Sequence, residues 1–259
     1  MLREPALLLR GSIPFDAGYY PAALRRLEGV DAQALEPGLA ETLTFRVAFC
    51  RMMLGEYAAA ESLFEQLTGA PEYAAAARFY LGYTAYAQGE YSKAQSLLEQ
   101  VNTSEAPGDM APYYLAQIYY MQANYNKSLA MARELIDRPG VAPEFEAEAL
   151  RIAGESLYNL GEEVQAITLL RRYVAMAFDP LPSTRYMLGV AEYRAGNYAE
   201  AIRELGPVAG EDNSIGQSAC LYIGQAYLKE GNNASALLAL EKACAMNFDE
   251  QVTETAYYN

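Results

Sequence analysis

The chain contains no histidine, no tryptophan and only three cysteines in 259 residues. Without histidine it has no Ser-His or Cys-His pair for nucleophilic catalysis, no histidine zinc ligand and no imidazole general base. The cysteines, Cys50, Cys220 and Cys244, form no Cys-x-x-Cys motif. These absences predict a protein that is not an enzyme and that binds no cofactor and no metal. An enzyme built only from carboxylates and tyrosines is the alternative.

Basic residues are also scarce. The chain has 19 lysines and arginines against 33 acidic residues, which gives a formal net charge of −14. Such a chain repels phosphate backbones, and no run of Lys or Arg exceeds two residues, so nucleic acid is excluded as a partner. No apolar run approaches the roughly 18 residues that a membrane-spanning helix needs, so no direct membrane insertion is expected.

The most informative feature that is present is a recurring short turn. The stretch QGEYSKAQ (88–95) is preceded 34 residues earlier by LGEYAAAE (54–61) and followed 34 residues later by QANYNKSL (122–129). We call the small residue before each such turn the turn marker. The markers are Gly55, Gly89, Ala123, Gly161, Gly196 and Gly231, at spacings of 34, 34, 38, 35 and 35 residues. A weaker copy surrounds Gly18.

Each copy predicts a first helix, a turn and a second helix, because apolar residues on both sides of the marker recur at steps of three and four. A small marker suits a left-handed helix end, where a larger side chain is strained. Small residues also recur seven before the marker and five after it, and we expect the two sets to face each other. They are Ala48, Gly82, Ala116, Gly154, Gly189 and Gly224, and then Ala60, Ala94, Ser128, Ala166, Ala201 and Ala236.

With these residues in place, the chain resembles a tetratricopeptide repeat (TPR) array. The family's spacing of Leu-Gly, a turn Gly, Tyr and Ala is found as Leu81-Gly82, Gly89, Tyr91 and Ala94, and again from Leu188 to Ala201. The sequence departs from the pattern at Glu163 and Asn233, where the turn tyrosine is expected. The resemblance implies an all-α, right-handed superhelical solenoid. We expect about six repeats in 41–250, a partial or divergent repeat in 1–40, and the truncated start of a further repeat in 251–259.

Two irregularities carry further expectations. The spacing of 38 leaves four residues beyond the common 34, and we expect them in a longer loop around Pro139-Gly140; a domain boundary there is the alternative. The last residues, TETAYYN, resemble the opening of another first helix, so we expect the sequence to be part of a longer chain. Cys220 and Cys244 lie on the two helices of the last complete copy, where buried thiols are expected and a disulfide is the alternative.

Tyrosine is abundant, with 22 residues against 8 phenylalanines. Residues ten, six and three before each marker share one face of the first helix, and we call them the tyrosine stripe. The resemblance implies that this stripe lines the concave wall of the solenoid and holds peptides. The predicted groove residues are Phe45, Phe49, Phe79, Tyr83, Tyr86, Tyr113, Gln117, Tyr120, Arg151, Tyr158, Tyr186 and Tyr193. The alternative is that the stripe packs adjacent first helices together. By the same spacing Met52, Glu155, Val190, Leu221, Gln225 and Leu228 also belong to it.

These patterns predict a non-enzymatic interaction module that binds a protein or peptide segment in the groove, as part of a larger scaffold. The alternative is a structural spacer or self-association module, which would make the chain a homo-oligomer. The later half of this face adds Arg151, Glu155, Arg194 and Lys229, so a segment with apolar anchors and then an acidic stretch is expected to fit. A solvated charged face is the alternative. The composition resembles long TPR proteins of Bacteroidetes-type bacteria, which suggests a periplasmic or outer-membrane-associated setting, with the cytoplasm as the alternative.

Overall fold

The computed structural model describes residues 3–104 and 106–259, and within these ranges all regular secondary structure is helical. No helix in the described ranges is both long and apolar enough to cross a membrane. Two short 3-10 helices, Ala32–Ala34 and Gly108–Met110, accompany the α-helices. The α-helices are α1 Arg3–Asp16, α2 Tyr20–Leu27, α3 Pro37–Met53, α4 Tyr57–Gln66, α5 Ala74–Ala87, α6 Tyr91–Leu98, α7 Ala111–Met121, α8 Tyr125–Ile136, α9 Pro143–Asn159, α10 Glu163–Met176, α11 Pro182–Arg194, α12 Tyr198–Val208, α13 Ser214–Lys229, α14 Asn233–Met246 and α15 Glu250–Tyr258.

The chain forms two compact units, residues 1–118 and residues 119–259, and the division falls within α7. In unit 1 the helices pack as the pairs α1–α2, α3–α4 and α5–α6. In unit 2 they pack as α9–α10, α11–α12 and α13–α14, with α8 against α9 and α15 against α14. Each pair is one first helix and one second helix joined by a short turn, so both units are stacks of repeats, as the sequence predicts.

The turn markers adopt the predicted left-handed backbone. The glycine markers have φ between 78° and 84°, and Ala123 has φ 55°. The residue after the marker closes the turn by donating its backbone N–H to a carbonyl five residues earlier. In one such turn the Glu90 N–H reaches the Ala85 carbonyl at 2.9 Å. This hydrogen bond satisfies one of the carbonyls that a helix end leaves without a partner.

The small residues of the first helix let a leucine of the second helix approach closely. A Cβ atom added at Gly154 would lie 2.5 Å from Leu170 Cδ2, and one added at Gly189 would lie 2.5 Å from Leu205 Cγ. Both leucines are fully buried and lie nine residues after their markers. One of the small residues five after the marker is seen facing its glycine as expected, since a Cβ added at Gly224 would also lie 3.4 Å from the Ala236 carbonyl oxygen. Those small residues are also fully buried, but the nearest group to each glycine is the leucine, because the longer side chain reaches across to the facing helix.

The four additional residues of the 38-residue spacing lie in a helix, not in a longer loop. The connection after α8 covers only residues 137–142, while α9 has 17 residues against 13 in α11. Pro143 begins α9 with its φ already suited to a helix, and Glu144 and Glu146 in the first turn are favoured by the helix dipole. The predicted long loop is thus wrong because local signals extend the helix.

The cysteine thiols are free. Cys50 and Cys220 are buried and Cys244 is half-buried. Cys220 Sγ lies 3.7 Å from the Ala209 carbonyl oxygen, and Cys244 Sγ lies 3.9 Å from the Thr253 carbonyl oxygen. The disulfide alternative for Cys220 and Cys244 is therefore wrong, and burial raises the pKa of the Cys220 thiol, which makes it less reactive.

We expect Gly154→Ala to lower the free energy of unfolding by about 1–2 kcal/mol, because overpacking costs more than alanine gains over glycine in helix propensity. Thermal unfolding followed by circular dichroism measures the effect. Gly38→Ala is the matched control, since a Cβ at Gly38 meets nothing within 4 Å. Equal stability of the two variants would contradict the close approach of Gly154 to Leu170.

We expect Ala123→Gly to stabilise the chain by about 1 kcal/mol, because alanine at φ 55° is strained and glycine is not. The same substitution in a helix interior should have the opposite sign, so Ala130→Gly at an exposed position in the middle of α8 should destabilise by about 1 kcal/mol. The two melting temperatures, measured side by side, check the prediction. A lower melting temperature for Ala123→Gly would show that the turn is not strained there.

Candidate peptide-binding surface

In unit 1 the first stripe residues are packed among aromatic rings. Phe45 stacks on Tyr73 with ring centroids 4.8 Å apart. Phe49 meets Phe15 edge-on at 5.5 Å and Tyr80 at 5.2 Å. These contacts join α3 to α1 and to α5. Phe45 and Phe49 thus hold neighbouring repeats together, as the packing alternative for the stripe describes.

The next stripe residues of unit 1 surround Tyr114 of α7. The rings of Tyr83 and Tyr86 lie 5.4 Å and 5.2 Å from that of Tyr114. Phe79 is buried and lies 6.0 Å from Tyr114, while Tyr113 is half-buried at 5.1 Å. Burial, and next the neighbouring tyrosines, raises the pKa of the Tyr114 hydroxyl.

Gln117 joins this group through a hydrogen bond. The Tyr86 hydroxyl donates to Gln117 Oε1 at 2.7 Å, which links α5 to α7. The amide is therefore held in place on the stripe and half-buried. Its polar atoms give this otherwise aromatic surface one fixed hydrogen-bonding group.

The sequence analysis missed the tyrosines that receive these contacts. Tyr80, Tyr114 and Tyr222 each lie nine residues before a marker, one position after the stripe. Tyr222 contacts Tyr186 at 6.2 Å and Tyr193 at 5.3 Å. In the sequence, each of these tyrosines directly follows a stripe residue, Phe79, Tyr113 or Leu221, and this recurring pair could have identified them. In the structure, the rings of Tyr114 and Tyr222 pack against the preceding first helix.

In unit 2 the stripe residue Arg151 belongs to a buried ionic network. Its guanidinium donates to Glu148 at 2.8 Å and to Glu155 at 3.0 Å. Glu155 is only 3% exposed, and it also accepts hydrogen bonds from Thr184 and Tyr120. A buried carboxylate is stable only with such partners. Burial alone would lower the pKa of Arg151, but its hydrogen bonds with Glu148 and the charge of Glu155 raise it. The charge of Arg151 is therefore compensated inside the unit.

Tyr120 is fixed by the same network. Its hydroxyl is hydrogen-bonded to Glu155 and Asn159, and burial, followed by the charge of Glu155, raises its pKa. The ring also meets that of Tyr125 edge-on at 5.7 Å. Because both the hydroxyl and one edge of the ring are engaged, Tyr120 is held in one orientation on the stripe.

Further along unit 2 the stripe tyrosines are half-buried, and the ring of one of them, Tyr158, makes a cation–π contact. The guanidinium of Arg194 lies 5.1 Å from the ring centroid of Tyr158. Arg194 also lies 3.9 Å from Glu163 and keeps 45% of its side chain exposed. Cation–π contacts of this kind hold a charged group in place without neutralising it. Arg194 therefore presents a positioned positive charge.

A cavity of about 250 Å³ is lined by another stripe tyrosine, Tyr193. We call it the α11–α13–α15 cavity, because Tyr193 comes from α11, while Gln225, Leu228 and Lys229 come from α13 and Asn259 follows α15. By spacing, Tyr193, Gln225 and Leu228 belong to the tyrosine stripe. Their side chains combine apolar surface, two amides and one ammonium group.

A row of exposed residues on the first helices lies one residue after the stripe positions nearest the turn. These residues, two before each marker, are exposed in every copy. They are Met53, Ala87, Met121, Asn159, Arg194 and Lys229. The row changes from apolar to cationic along the chain, so the positive charges of this row lie in the last two copies.

Comparison with known families agrees with this geometry. The sequence model of the tetratricopeptide repeat matches residues 52–109, 113–180 and 186–250. The chain belongs to the tetratricopeptide repeat family. TPR proteins are generally non-enzymatic interaction modules, and the described residues hold no group of three or more His, Cys, Asp or Glu that could bind a metal ion. No curated protein matches this TPR chain.

Solved TPR structures share the fold at low sequence identity. The C-terminal part of a TPR protein from Cytophaga hutchinsonii is 15% identical, with 96% of this chain and 98% of that one covered and a TM-score of 0.66. YrrB, described as a TPR protein with an unusual peptide-binding site, is 17% identical over 76% of this chain and 98% of its own, with a TM-score of 0.63. A TPR protein from Parabacteroides merdae is 13% identical, with 99% and 100% covered and a TM-score of 0.59.

We expect alkaline pH to destabilise the chain partly through Tyr186. Burial, and next Tyr222, raises the pKa of the Tyr186 hydroxyl to about 12, against about 10 for an ordinary tyrosine. A raised folded-state pKa means that the stabilisation is complete below pH 10 and is lost as pH rises towards 12. Phenolate absorbance during a pH titration, compared between wild type and Tyr186→Phe, measures it. The difference between the two proteins isolates the titration of Tyr186. If that titration is centred near pH 10 in the folded protein, as it is in urea, the burial of Tyr186 is contradicted.

Proposed function

We propose that this TPR chain binds an extended segment of a partner protein along the first helices of unit 2, with one side chain of that segment in the α11–α13–α15 cavity. The observation that carries the proposal is that this cavity is lined by stripe residues from consecutive first helices. It joins Tyr193 on one helix to Gln225 and Leu228 on the next. A segment lying across the helices would reach both without any rearrangement.

The size of the cavity favours a side chain over a small molecule. Sites for drug-sized ligands usually measure 300–1,000 Å³ and enclose most of the ligand, whereas this cavity measures about 250 Å³. A tyrosine wall supplies a rigid apolar face with a polar tip, which suits a surface that is wet when free and covered when bound. These properties match a protein segment anchored at one point.

The stripe residues divide into two roles under this proposal. Phe45, Phe49 and Phe79 are assigned to packing between repeats, because aromatic neighbours surround them. In unit 1 the half-buried Tyr83 and Tyr113 are assigned to a second contact surface. In unit 2 the contact residues are Tyr120, Arg151, Tyr158, Tyr186 and Tyr193, among which Arg151 acts by holding Glu155 and Tyr120 in position.

Self-association is the second candidate, and a different surface favours it. Leu237 and Tyr257 are exposed and line a cavity of about 770 Å³ between α14 and α15. Exposed apolar surface of this kind suits a contact with another protein surface. That surface does not include Gln225 or Lys229, so changes at those residues separate the two candidates.

Selection of random dodecamer peptides displayed on phage tests the proposed function. Wild type should enrich a peptide family, and Gln225→Trp, which fills the α11–α13–α15 cavity, should weaken its binding at least about tenfold. Gln66→Trp on the exposed side of α4 is the matched control and should bind as wild type does. All three proteins are first shown to melt alike by circular dichroism.

Two results would contradict the proposal. One is that wild type enriches no peptide. The other is that Gln225→Trp binds the enriched peptides as tightly as wild type, because the contact would then lie elsewhere. An absence of peptide binding together with concentration-dependent sedimentation would favour self-association.

A further inference from the structure

The outer face of α1 exposes apolar side chains where later first helices are buried. Ile13 lies five residues before Gly18, the turn glycine of the weaker first copy, and is 64% exposed. Leu9, one turn earlier, is also exposed. In the six later copies the residue five before the marker is fully buried. These residues are Cys50, Thr84, Ile118, Ser156, Ala191 and Ala226.

In the later copies this position packs with the preceding second helix. Cys50 of α3 belongs to the same buried cluster as Leu24 of α2. Ala191 of α11 belongs to the same buried cluster as Ile167 of α10. Leu24 and Ile167 each lie six residues after a turn glycine. The buried face of a first helix thus meets an apolar residue at that position of a second helix. No described helix precedes α1 to supply one.

The corresponding residue of α14 is exposed. Leu237 lies six residues after Gly231 and is 58% exposed. The next first helix, α15, has only 9 residues, against 16 in α13, and it leaves this part of α14 uncovered. Leu237 and Leu240 line the cavity of about 770 Å³ between α14 and α15, together with Glu241 and Tyr257. We call this cavity the α14–α15 groove.

A fully buried amide fixes the walls of the α14–α15 groove. Gln217 Nε2 donates to the Ala243 carbonyl at 3.0 Å and to Thr253 Oγ1 at 2.9 Å. Gln217 Oε1 accepts the backbone N–H of Asp249 at 2.7 Å. These bonds hold the start of α15 against α13 and α14. The groove is therefore formed before anything binds, which lowers the ordering cost of binding.

The charges at α1 and at the α14–α15 groove have opposite signs. Arg10 is exposed on α1 and Glu241 is exposed in the groove, and among the described residues neither has an ion-pair partner within 4.0 Å. Arg25 of the adjoining α2 and Glu254 of α15 are exposed as well. In a chain of net charge −14, most approaches of one copy to another are repulsive. The approach of α1 to this groove is favoured.

We propose that the α14–α15 groove receives α1 of a second copy of this chain. Ile13 and Leu9 of one copy would contact Leu237 and Tyr257 of the other. Arg10 would meet Glu241, and this pair sets the orientation. Because α15 covers the rest of α14, only the C-terminal part of α1 enters the groove, and α1 crosses α14 at an angle instead of lying along it.

Such a contact joins two different surfaces. Each copy uses its α1 on one neighbour and its groove on another, so assembly does not stop at a dimer but continues into an open chain or a ring. This inference goes beyond the proposed peptide binding and gives the second candidate, self-association, its contact. Ile13 and Leu237 do not line the α11–α13–α15 cavity, so the two proposals are tested at separate residues.

Sedimentation velocity of two complementary variants tests the inference. Wild type should sediment faster as its concentration rises, past the dimer. Ile13→Glu changes the α1 face and Leu237→Glu changes the groove, and each should weaken self-association at least about tenfold, because a charge would be buried in the contact. Mixed in equal amounts, the two variants should form a dimer and nothing larger, because each keeps the surface that the other has lost.

Controls separate this contact from a general effect of charge. Val164→Glu on α10, where the side chain is 77% exposed, should associate as wild type does. Arg10→Glu should weaken association about fivefold, and combining it with Glu241→Arg in one chain should restore it. All variants are first shown to melt like wild type by circular dichroism.

Three results would overturn the inference. One is a wild-type chain that stays monomeric at every concentration. Another is a mixture of the two variants that forms no dimer. The third is Leu237→Glu associating as wild type does, because the contact would then lie outside the groove. Gln225→Trp leaves Ile13 and Leu237 intact, so loss of peptide binding in that variant bears on the proposed function alone.

Discussion

The close approach of a first helix to its second helix is the constraint on which the other features depend. At Gly154 and Gly189 the absence of a Cβ lets a buried leucine fill the contact. The residue in left-handed conformation ends the first helix, so that the second helix can begin directly after it. Because each pair is fixed in this way, side chains on the free face of the first helix are carried in register from copy to copy. The candidate surface is a consequence of that register.

The two units use different side-chain contacts between their first helices. Unit 1 joins its first helices through aromatic edges, as around Tyr114. Unit 2 uses a buried network in which Arg151 and Tyr120 satisfy Glu155. Such networks are stable only when every member is paired. The pairing holds the side chains of Arg151 and Tyr120 in fixed positions, and the binding of a partner side chain is proposed at the α11–α13–α15 cavity, which these two residues do not line.

The sequence carries much of the fold and less of the site. The turn glycines predict the helix pairs, because glycine at a fixed spacing of about 34 residues indicates a repeated left-handed helix end. The four additional residues were predicted in a loop but lie in α9. A proline followed by acidic residues, as at Pro143, occurs both in loops and in the first turn of a helix, so the sequence alone does not distinguish the two. The pairing of Arg151 with Glu148 and Glu155 and the packing role of Phe45 were not visible. They depend on side-chain orientation and on rings from neighbouring repeats, which spacing along one helix does not specify.

The most direct test of the central claim is a crystal structure of the chain with a selected peptide bound. The account predicts that the peptide crosses α11 and α13 of unit 2, with one side chain between Tyr193, Gln225 and Lys229. A peptide bound instead on the second helices, or between α14 and α15, would contradict it. The repeats would then hold the partner through a surface other than the first helices.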